Sequence, residues 1–287
     1  MSALTTRTLF VAALAWALAL PASAQSSALA KIERDRTIVM GYVEGAAPFS
    51  SVDGSGQPQG YSVDMCRAIA EGIGAQLKIA DLKTRWVPLT VQNRLEAVRA
   101  KRVDLECSTT TWTLSRQGLV DFSLITFVDG ANILSLAESG IGRVADLAGK
   151  RVAVLGGTTT EKVLREALAR AQVKAEVVTI TSRPQGVQMV EQGQVDGFAS
   201  DRSPLIGAIA ASPARARFKL LDQDLSVEPY AFALARDDHD FRLAVNRVLA
   251  GLYRGGGIQP IYERWLGPLG TPSLLLTVTY FIQGIPE

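Results

Sequence analysis

Residues 104–116 combine an apolar segment, a run of hydroxyl side chains and an arginine. Three consecutive threonines, starting at Thr109, end the apolar segment, and the residues from Thr113 onward have the pattern of a first helical turn. Backbone N–H groups at a helix start lack helical partners and point towards anions. Arg116 can add a bidentate pair, because its planar guanidinium matches a carboxylate. The segment predicts a carboxylate site, although a plain helix cap beside a surface arginine would use the same residue types.

A second segment of the same kind follows the predicted strand 151–155. Gly156 and Gly157 permit close approach of the backbone, and Thr158 with Glu161 has the spacing of a helix capping box. The helix start offers further N–H groups to an anion. The segment lacks the lysine of a phosphate-binding loop, so a nucleotide ligand is disfavoured.

The first 24 residues have the composition of a cleaved signal peptide. The apolar run 9–20 is shorter than the ~20 residues that a membrane-spanning helix needs, and residues 22–24 read Ala-Ser-Ala. Cleavage after Ala24 removes only Arg7 among the charged residues, which lowers the formal net charge from +2 to +1. This balance indicates neither nucleic acid nor an anionic membrane as a partner. We expect a mature chain that is free in the periplasm.

Export permits a disulfide, and Cys66 and Cys107 are the two cysteines of the chain. Cys66 lies in a predicted helix and Cys107 in the strand before the threonines. We expect them to pair, and two buried free thiols are the alternative.

Strand and helix patterns alternate along the chain, and residues 25–287 are long enough for two ordinary domains. This alternation predicts an α/β fold in two units. The predicted strands are 37–42, 77–79, one starting at 104, 151–155 and 175–180, and the predicted helices are 62–73, 94–99, 161–171 and 186–192.

Short motifs from residue 41 to residue 265 resemble the amino-acid-binding family of extracytoplasmic solute-binding proteins, the receptors of ABC importers. The Gln92-Asn-Arg94 and Glu106-Cys-Ser-Thr-Thr110 sequences look most like the glutamate/aspartate-binding branch. The motifs lie in segments 41–44, 48–50, 60–65, 92–94, 104–116, 121–123, 146–150, 157–159, 195–196, 201 and 262–265.

The resemblance implies a two-lobed α/β fold of the type II periplasmic-binding-protein class, with the ligand cleft between the lobes. Lobe 1 would comprise residues 25–130 and 230–287, and lobe 2 would comprise residues 131–229. Two hinge strands are expected near 127–134 and 228–234. The apolar tail 273–282 is expected to pack on lobe 1.

The resemblance also assigns ligand-binding roles. In lobe 1, Thr109, Thr111 and Arg116 would bind the α-carboxylate. In lobe 2, Thr158 and Thr159 would close over the ligand, and Asp201 would accept its ammonium group. Arg94 and Arg183 would contact the ligand's side chain.

Three positions depart from the glutamate/aspartate branch, because Val43 and Val91 replace an expected arginine and serine, and Arg183 lies near an expected histidine whose charge it could replace. An acidic or amide side chain remains favoured, and the valines also suit a longer or partly apolar ligand. Tyr42, Phe49 and Trp112 are candidates for contacts with the ligand's stem or for the core.

Enzyme activity is disfavoured, and we expect no metal and no cofactor. The single histidine, His239, lies in the charged run 237–240, and no Gly-x-Ser-x-Gly elbow or zinc-ligand spacing is visible. The expected function is capture of an amino acid by a monomer that delivers it to ABC permease subunits. Delivery to a membrane sensor is one alternative. A dehydratase-like enzyme that uses Glu106 as acid or base is the other.

Overall fold

The computed structural model describes residues 27–286, so the predicted signal peptide lies outside the described residues. Two five-stranded sheets and one two-stranded sheet carry the strands, and helices surround them. The strands are β1 Thr37–Val43, β2 Ser51–Val52, β3 Pro58–Gln59, β4 Lys83–Leu89, β5 Leu105–Glu106, β6 Asp121–Asp129, β7 Ala131–Leu136, β8 Arg151–Leu155, β9 Glu176–Ile180, β10 Gly197–Asp201, β11 Phe218–Leu220 and β12 Glu228–Leu234.

The helices differ widely in length, from one turn to sixteen residues. Short 3₁₀ turns lie at Ala137–Ser139, Val144–Leu147, Arg215–Arg217 and Gly267–Leu269. The α-helices are α1 Ala28–Asp35, α2 Tyr61–Gln76, α3 Arg94–Arg99, α4 Leu114–Gln117, α5 Thr159–Arg170, α6 Arg183–Glu191, α7 Arg202–Ala211, α8 His239–Arg254, α9 Ile258–Trp265 and α10 Leu274–Gln283.

Sheet 1 has the strand order β4-β1-β5-β12-β6, and sheet 2 has the order β11-β7-β10-β8-β9. In sheet 1, β1 runs parallel to β4 and β5, whereas β12 is antiparallel to its neighbours. In sheet 2, β8 runs parallel to β9 and β10, and β7 is antiparallel to its neighbours. These two mixed sheets with their helices confirm the predicted α/β class.

The chain passes between the sheets twice. It first leaves sheet 1 at Gly130, between β6 and β7, and it returns between β11 and β12. We propose that each sheet is the core of one lobe and that these two passages form the hinge. The exact lobe boundaries stay a prediction.

The strand predicted at residues 77–79 is wrong. Lys78 has a left-handed backbone (φ 55°), and the N–H of Ile79 donates to the carbonyl of Gly74 at 2.8 Å. The N–H of Lys78 donates to Ala75, which completes a Schellman motif at the end of α2. The apolar residues Leu77 and Ile79 therefore cover a helix end, and the strand begins later, at Lys83.

An aromatic cluster lies in the hydrophobic core of sheet 1. The Phe49 ring meets those of Tyr61, Phe127 and Tyr230 edge-on, with centroids 4.9–5.8 Å apart. Phe49 is fully buried there, so it belongs to the core. Gly60, with φ 128°, lies so close to the carbonyl of Phe49 that a Cβ atom would overlap it.

The apolar tail forms α10 and packs on sheet 1 and α8, as expected. Tyr280 donates from its hydroxyl to the Thr126 carbonyl at 2.9 Å, and the Gln283 amide bonds to both backbone groups of Ile125. The opposite face of α10 is exposed at Leu274 and Phe281. Within residues 27–286, no helix combines the length and the hydropathy of a membrane span.

A disulfide joins Cys66 in α2 to Cys107, which follows β5. Both residues are fully buried in the core of sheet 1, and 41 positions separate them in the sequence. The bond therefore ties the long helix to the segment that carries the predicted carboxylate site.

We expect the double change Cys66→Ala and Cys107→Ala to lower the free energy of unfolding by about 3–4 kcal/mol, because a loop of this length adds that much entropy to the unfolded chain. Urea titration followed by far-UV circular dichroism measures the difference. Reduced wild-type protein is the matched control and should unfold close to the double variant. Equal midpoints for the oxidised wild type and the double variant would contradict this expectation.

Candidate ligand-binding cleft

The carboxyl ends of the parallel strands place the predicted site residues. In sheet 1, β4 leads to Arg94 at the start of α3, and β5 leads to the threonine run and α4. In sheet 2, β8 leads to Thr158 and β9 leads to Arg183, while Asp201 ends β10. Ligands in open α/β sheets bind outside these strand ends. Contacts between the two groups of loops define the cleft.

Glu228 joins hydroxyl groups from both sides of the cleft. Its Oε2 accepts from the hydroxyls of Thr111 at 2.8 Å and Thr159 at 2.7 Å, and these two hydroxyl oxygens lie 3.2 Å apart. Its Oε1 accepts from Ser226 at 2.6 Å. Glu228 is 2% exposed and begins β12. Sequence reasoning missed this residue, whose one signal is its position at the start of a predicted hinge strand.

Arg183 and Asp201 form an ion pair on the sheet 2 side. The Arg183 Nη2 lies 3.8 Å from Asp201 Oδ2, and the Thr160 hydroxyl donates to Asp201 Oδ1 at 2.9 Å. The Arg183 Nε donates to Ser200 Oγ at 3.3 Å, and its Nη2 donates across the cleft to Thr109 Oγ1 at 3.4 Å. Arg183 therefore contacts two other predicted ligand-binding residues, Asp201 and Thr109.

The buried charged side chain of Arg94 lacks hydrogen-bond partners for two of its nitrogens among the described residues. It is 3% exposed, and its Nε and Nη1 have no hydrogen-bond partner among residues 27–286. Burial lowers the pKa of its guanidinium to about 10, and the nearby charges of Arg116 and Arg183 act in the same direction, whereas Glu106 opposes them. Arg94 therefore stays charged at neutral pH, and two of its donors can bind an acceptor.

Glu106 lies close to Arg94 and is fully buried. Its Oε1 accepts from the hydroxyl of Ser108, and its Oε2 has no partner among the described residues. The cleft thus contains an unpaired donor pair and an unpaired acceptor near each other. A ligand that carries both an acceptor and a cationic donor would satisfy them.

Arg116 lies in α4, which is a single turn, Leu114–Gln117. The hydroxyl of Thr113 accepts from the Arg116 N–H at 3.2 Å, so the predicted helix start is correct. The side chain of Arg116 donates from Nη1 to the carbonyl of Thr111 at 2.8 Å. Burial lowers the pKa of its guanidinium, and the carboxylates of Glu106, Glu228 and Asp201 raise it.

Thr158 and Thr159 have different surroundings. The Thr158 hydroxyl accepts from the N–H of Glu161 at 3.1 Å and donates to the carbonyl of Leu155 at 2.7 Å, which is the contact set of a helix cap. The Thr159 hydroxyl lies at the junction with Glu228 and Thr111. A ligand role for Thr158 therefore rests on its position at the start of α5.

The aromatic candidates do not converge on the cleft. Phe49 lies in the core, and the ring of Tyr42 meets that of Trp86 edge-on at 6.4 Å. Trp112 is 39% exposed, and its backbone N–H donates to the carbonyl of Pro229.

Asp129 marks the point where the chain first leaves sheet 1. Its carboxylate accepts from the N–H and hydroxyl of Ser203 at 3.1 Å each, and from the Tyr230 hydroxyl at 3.2 Å. Burial raises its pKa to about 7, and the charge of Asp201 contributes. Asp129 thus connects β6 with the start of α7, and sequence reasoning did not identify it.

The sequence matches the family model described as bacterial extracellular solute-binding proteins, family 3, over residues 38–268. The chain belongs to this family. The resemblance inferred from the motifs is confirmed. Members of this family are receptors that bind solutes outside the cytoplasmic membrane. For this chain, membership supports amino-acid binding and delivery to an ABC importer.

One similar protein is the L-glutamate/L-aspartate-binding protein of Pseudomonas aeruginosa, 30% identical over 238 residues that cover 83% of this chain and 79% of that protein. Among solved structures, an ancestral arginine-binding protein bound to arginine has a TM-score of 0.73 at 25% identity, covering 80% of this chain and 98% of that one. An ancestral amino acid-binding protein, a precursor of cyclohexadienyl dehydratase, has a TM-score of 0.72 at 26% identity, and the match covers 84% of this chain and 99% of that one. These likenesses confirm the two-lobed, type II fold, and the names fit a binding protein.

The raised pKa of Asp129 predicts a pH dependence of stability. The carboxyl titrates near its ordinary 3.8 in the unfolded chain and at about 7 in the folded one. Between these values the folded state holds more protons, so its contribution to stability falls as pH rises from about 4 to about 7. Asp129→Asn removes this titration. Over this range the free energy of unfolding of wild type should fall by more than about 1.4 kcal/mol relative to that of the variant, which is the equivalent of one pKa unit.

Urea titrations at pH 4.5, 5.5, 6.5 and 7.5 measure that difference. Asp81→Asn changes an exposed carboxylate and is the matched control, which should follow wild type at every pH. Parallel stability profiles for wild type and Asp129→Asn would show that Asp129 does not hold an extra proton in the folded state.

Proposed function

We propose that the protein is a periplasmic receptor for a polar amino acid of the glutamate, aspartate or amide kind, and that it delivers this ligand to ABC permease subunits as a monomer. The observation that carries the proposal is the buried guanidinium of Arg94, whose Nε and Nη1 lack partners among residues 27–286. An unpaired buried charge is costly, so a site built this way favours a ligand with an acceptor at that position. The name of the Pseudomonas aeruginosa relative supports the same ligand class.

The common part of an amino acid is assigned to residues at two helix starts. Arg116 would pair with the α-carboxylate, with the hydroxyls of Thr109 and Thr111 beside it. The N–H groups at the start of α5, near Thr158 and Thr159, would approach the same group from the other lobe. Charge-assisted hydrogen bonds of roughly 1.5–3 kcal/mol each suffice for micromolar binding after ordering costs.

The ammonium group is assigned to Asp201, which ends β10 at the cleft. Its contact with Arg183 is 3.8 Å long, which is beyond ordinary hydrogen-bond distance. Arg183 can therefore turn towards a ligand oxygen while Asp201 accepts the ammonium. The unpaired Oε2 of Glu106 supplies a second acceptor close to Arg94.

Selectivity for the ligand's side chain is assigned to Arg94 and Arg183. Both guanidinium groups are buried. Two nitrogens of Arg94 have no hydrogen-bond partner among residues 27–286, and the hydrogen bonds of Arg183 are long, at 3.3 and 3.4 Å. They favour a carboxylate or an amide oxygen, because either can accept from them. A cationic side chain would meet two like charges in a buried site and would be rejected.

Closure follows from contacts that reach both lobes. A ligand held by Arg116 on one side and Asp201 on the other binds the closed arrangement more tightly than the open one, and it therefore favours closure. Glu228 would stabilise that arrangement, since it accepts from Thr111 and Thr159 together. The closed protein would then dock on the permease.

Titration calorimetry of ligand-stripped protein against the twenty amino acids tests the proposal. We expect heat with micromolar affinity for glutamate, aspartate, glutamine or asparagine, and none for lysine or arginine. Tight binding of a cationic amino acid, or silence across the panel, would contradict the proposed ligand class.

Two arginine substitutions separate the assigned roles. Arg116→Ala should weaken binding of every amino acid ligand by about 100-fold, because it removes a charge-assisted pair common to all of them. Arg94→Ala should change the ranking among ligands, with the largest loss for the side chains that accept from it. Calorimetry on both variants measures this, and Arg85→Ala, at an exposed position of β4, is the matched control. Uniform and equal weakening by both substitutions would refute the division of roles.

A further inference from the structure

A cavity of about 330 Å³ lies between the carboxyl ends of β1 and β4 on one side and of β8 and β9 on the other. Val43 and Leu89 pair in register at the ends of β1 and β4, and Leu155 ends β8. These three side chains and Val91 line the cavity, together with the guanidinium of Arg183. Its volume is at the lower end of the range for small-molecule sites.

The walls of this cavity are mainly apolar. Val43, Leu89 and Leu155 are 3–7% exposed, so little of their surface contacts solvent. The hydroxyls of Thr181 and Ser182 also reach the lining, but both bond to Gln185 of the same lobe, on its side chain and its backbone N–H respectively. Glu44, Thr90 and Arg183 are the other polar residues of the lining, and the hydroxyl of Thr90 accepts from the N–H of Asn93.

The cavity continues the site assigned to the ligand's side chain. Arg183 belongs to both, since it pairs with Asp201 and lines the cavity. Arg94 begins α3 three residues after Val91. A ligand group that accepts from Arg183 would therefore have its far side directed at the apolar walls, and Arg94, which does not itself line the cavity, would approach the same group from the start of α3.

Two charged residues line the cavity, Arg183 and Glu44. Glu44 is exposed at its edge and would repel a ligand carboxylate that extended past Arg183. An uncharged apolar group meets no such repulsion. Each methylene that it buries contributes about 0.8 kcal/mol, which corresponds to about fourfold in affinity.

We propose that this cavity binds an apolar substituent on the side-chain amide of the ligand, so that the receptor prefers N-alkyl amides of glutamine type and γ-glutamyl compounds with a small apolar end. The amide oxygen would accept from Arg94, and the substituent would fill the space between Val43, Val91 and Leu155. This inference rests on the proposed function, because it extends the same side-chain site.

Titration calorimetry with a homologous series tests it. The probes are L-glutamine and its derivatives with a methyl or an ethyl group on the side-chain amide nitrogen, which share the α-amino acid head and the amide. We expect the affinity of wild-type protein to rise by about fourfold with each added carbon. In Val91→Leu, which fills part of the cavity from a half-buried position, the preference for the ethyl derivative over glutamine should fall at least fourfold.

Val278→Leu adds the same methylene on the exposed part of α10 and is the matched control, with the ligand ranking of wild type. The inference is overturned if glutamine binds while each added carbon lowers affinity, or if Val91→Leu keeps the full preference. In both cases the proposed function stands. If neither glutamine nor glutamate nor any member of the series binds, the proposed function falls with it.

Discussion

Burial of guanidinium charge between two sheets is the constraint on which the cleft depends. Arg94 and Arg183 are less than a tenth exposed, and Arg116 and Arg183 both lie close enough to Arg94 for their charges to lower its pKa. Removing such charges from water costs several kcal/mol each unless partners replace the water. The three guanidinium groups differ in their partners, because Arg183 has Asp201 and Arg116 has a backbone carbonyl, whereas two nitrogens of Arg94 have no partner among residues 27–286. The imbalance at Arg94 makes binding of an acceptor favourable.

The fold makes this arrangement possible through strand direction. Parallel strands in each sheet end at one edge, and the chain crosses between the sheets twice beside those edges. Charged side chains that follow the strands therefore face one another across the cleft without a dedicated binding domain. The crossings also carry Asp129 and Glu228, whose carboxylates bond to groups of the other sheet, so hinge geometry and cleft geometry are coupled.

The parts of the structure that sequence could predict are those governed by local patterns. Residues 151–155 and 94–99 were placed correctly because strand alternation and helix propensity act over a few residues. The error at Leu77 and Ile79 has a local cause of another kind, since apolar residues that close a Schellman motif resemble a short strand. Family motifs then supplied Asp201, and a departure from the family pattern supplied Arg183 in place of an expected histidine; these two residues contact each other in the structure.

What sequence could not supply are roles that arise from long-range contacts. Asp129 acts on Ser203, 74 residues away, and Glu228 acts on Thr159, 69 residues away. Neither residue has a distinctive neighbourhood in the chain, so its partners become visible only when the sheets are assembled. The unpaired state of Arg94 has the same origin, because it reflects which groups from other segments fail to reach it.

The balance of charges in the cleft affects which net charge of the ligand is favoured. Three guanidinium groups, Arg94, Arg116 and Arg183, stand beside three carboxylates, Glu106, Asp201 and Glu228. A zwitterion with an uncharged polar side chain adds no net charge to this set, whereas a second ligand carboxylate adds one negative charge in excess near Asp201 and Asp129, which already interact as like charges. Burial penalises such an excess more strongly than water would. We therefore infer that an amide oxygen at Arg94 carries a lower electrostatic cost than a carboxylate, which agrees with the uncharged group proposed for the apolar walls beyond Arg183.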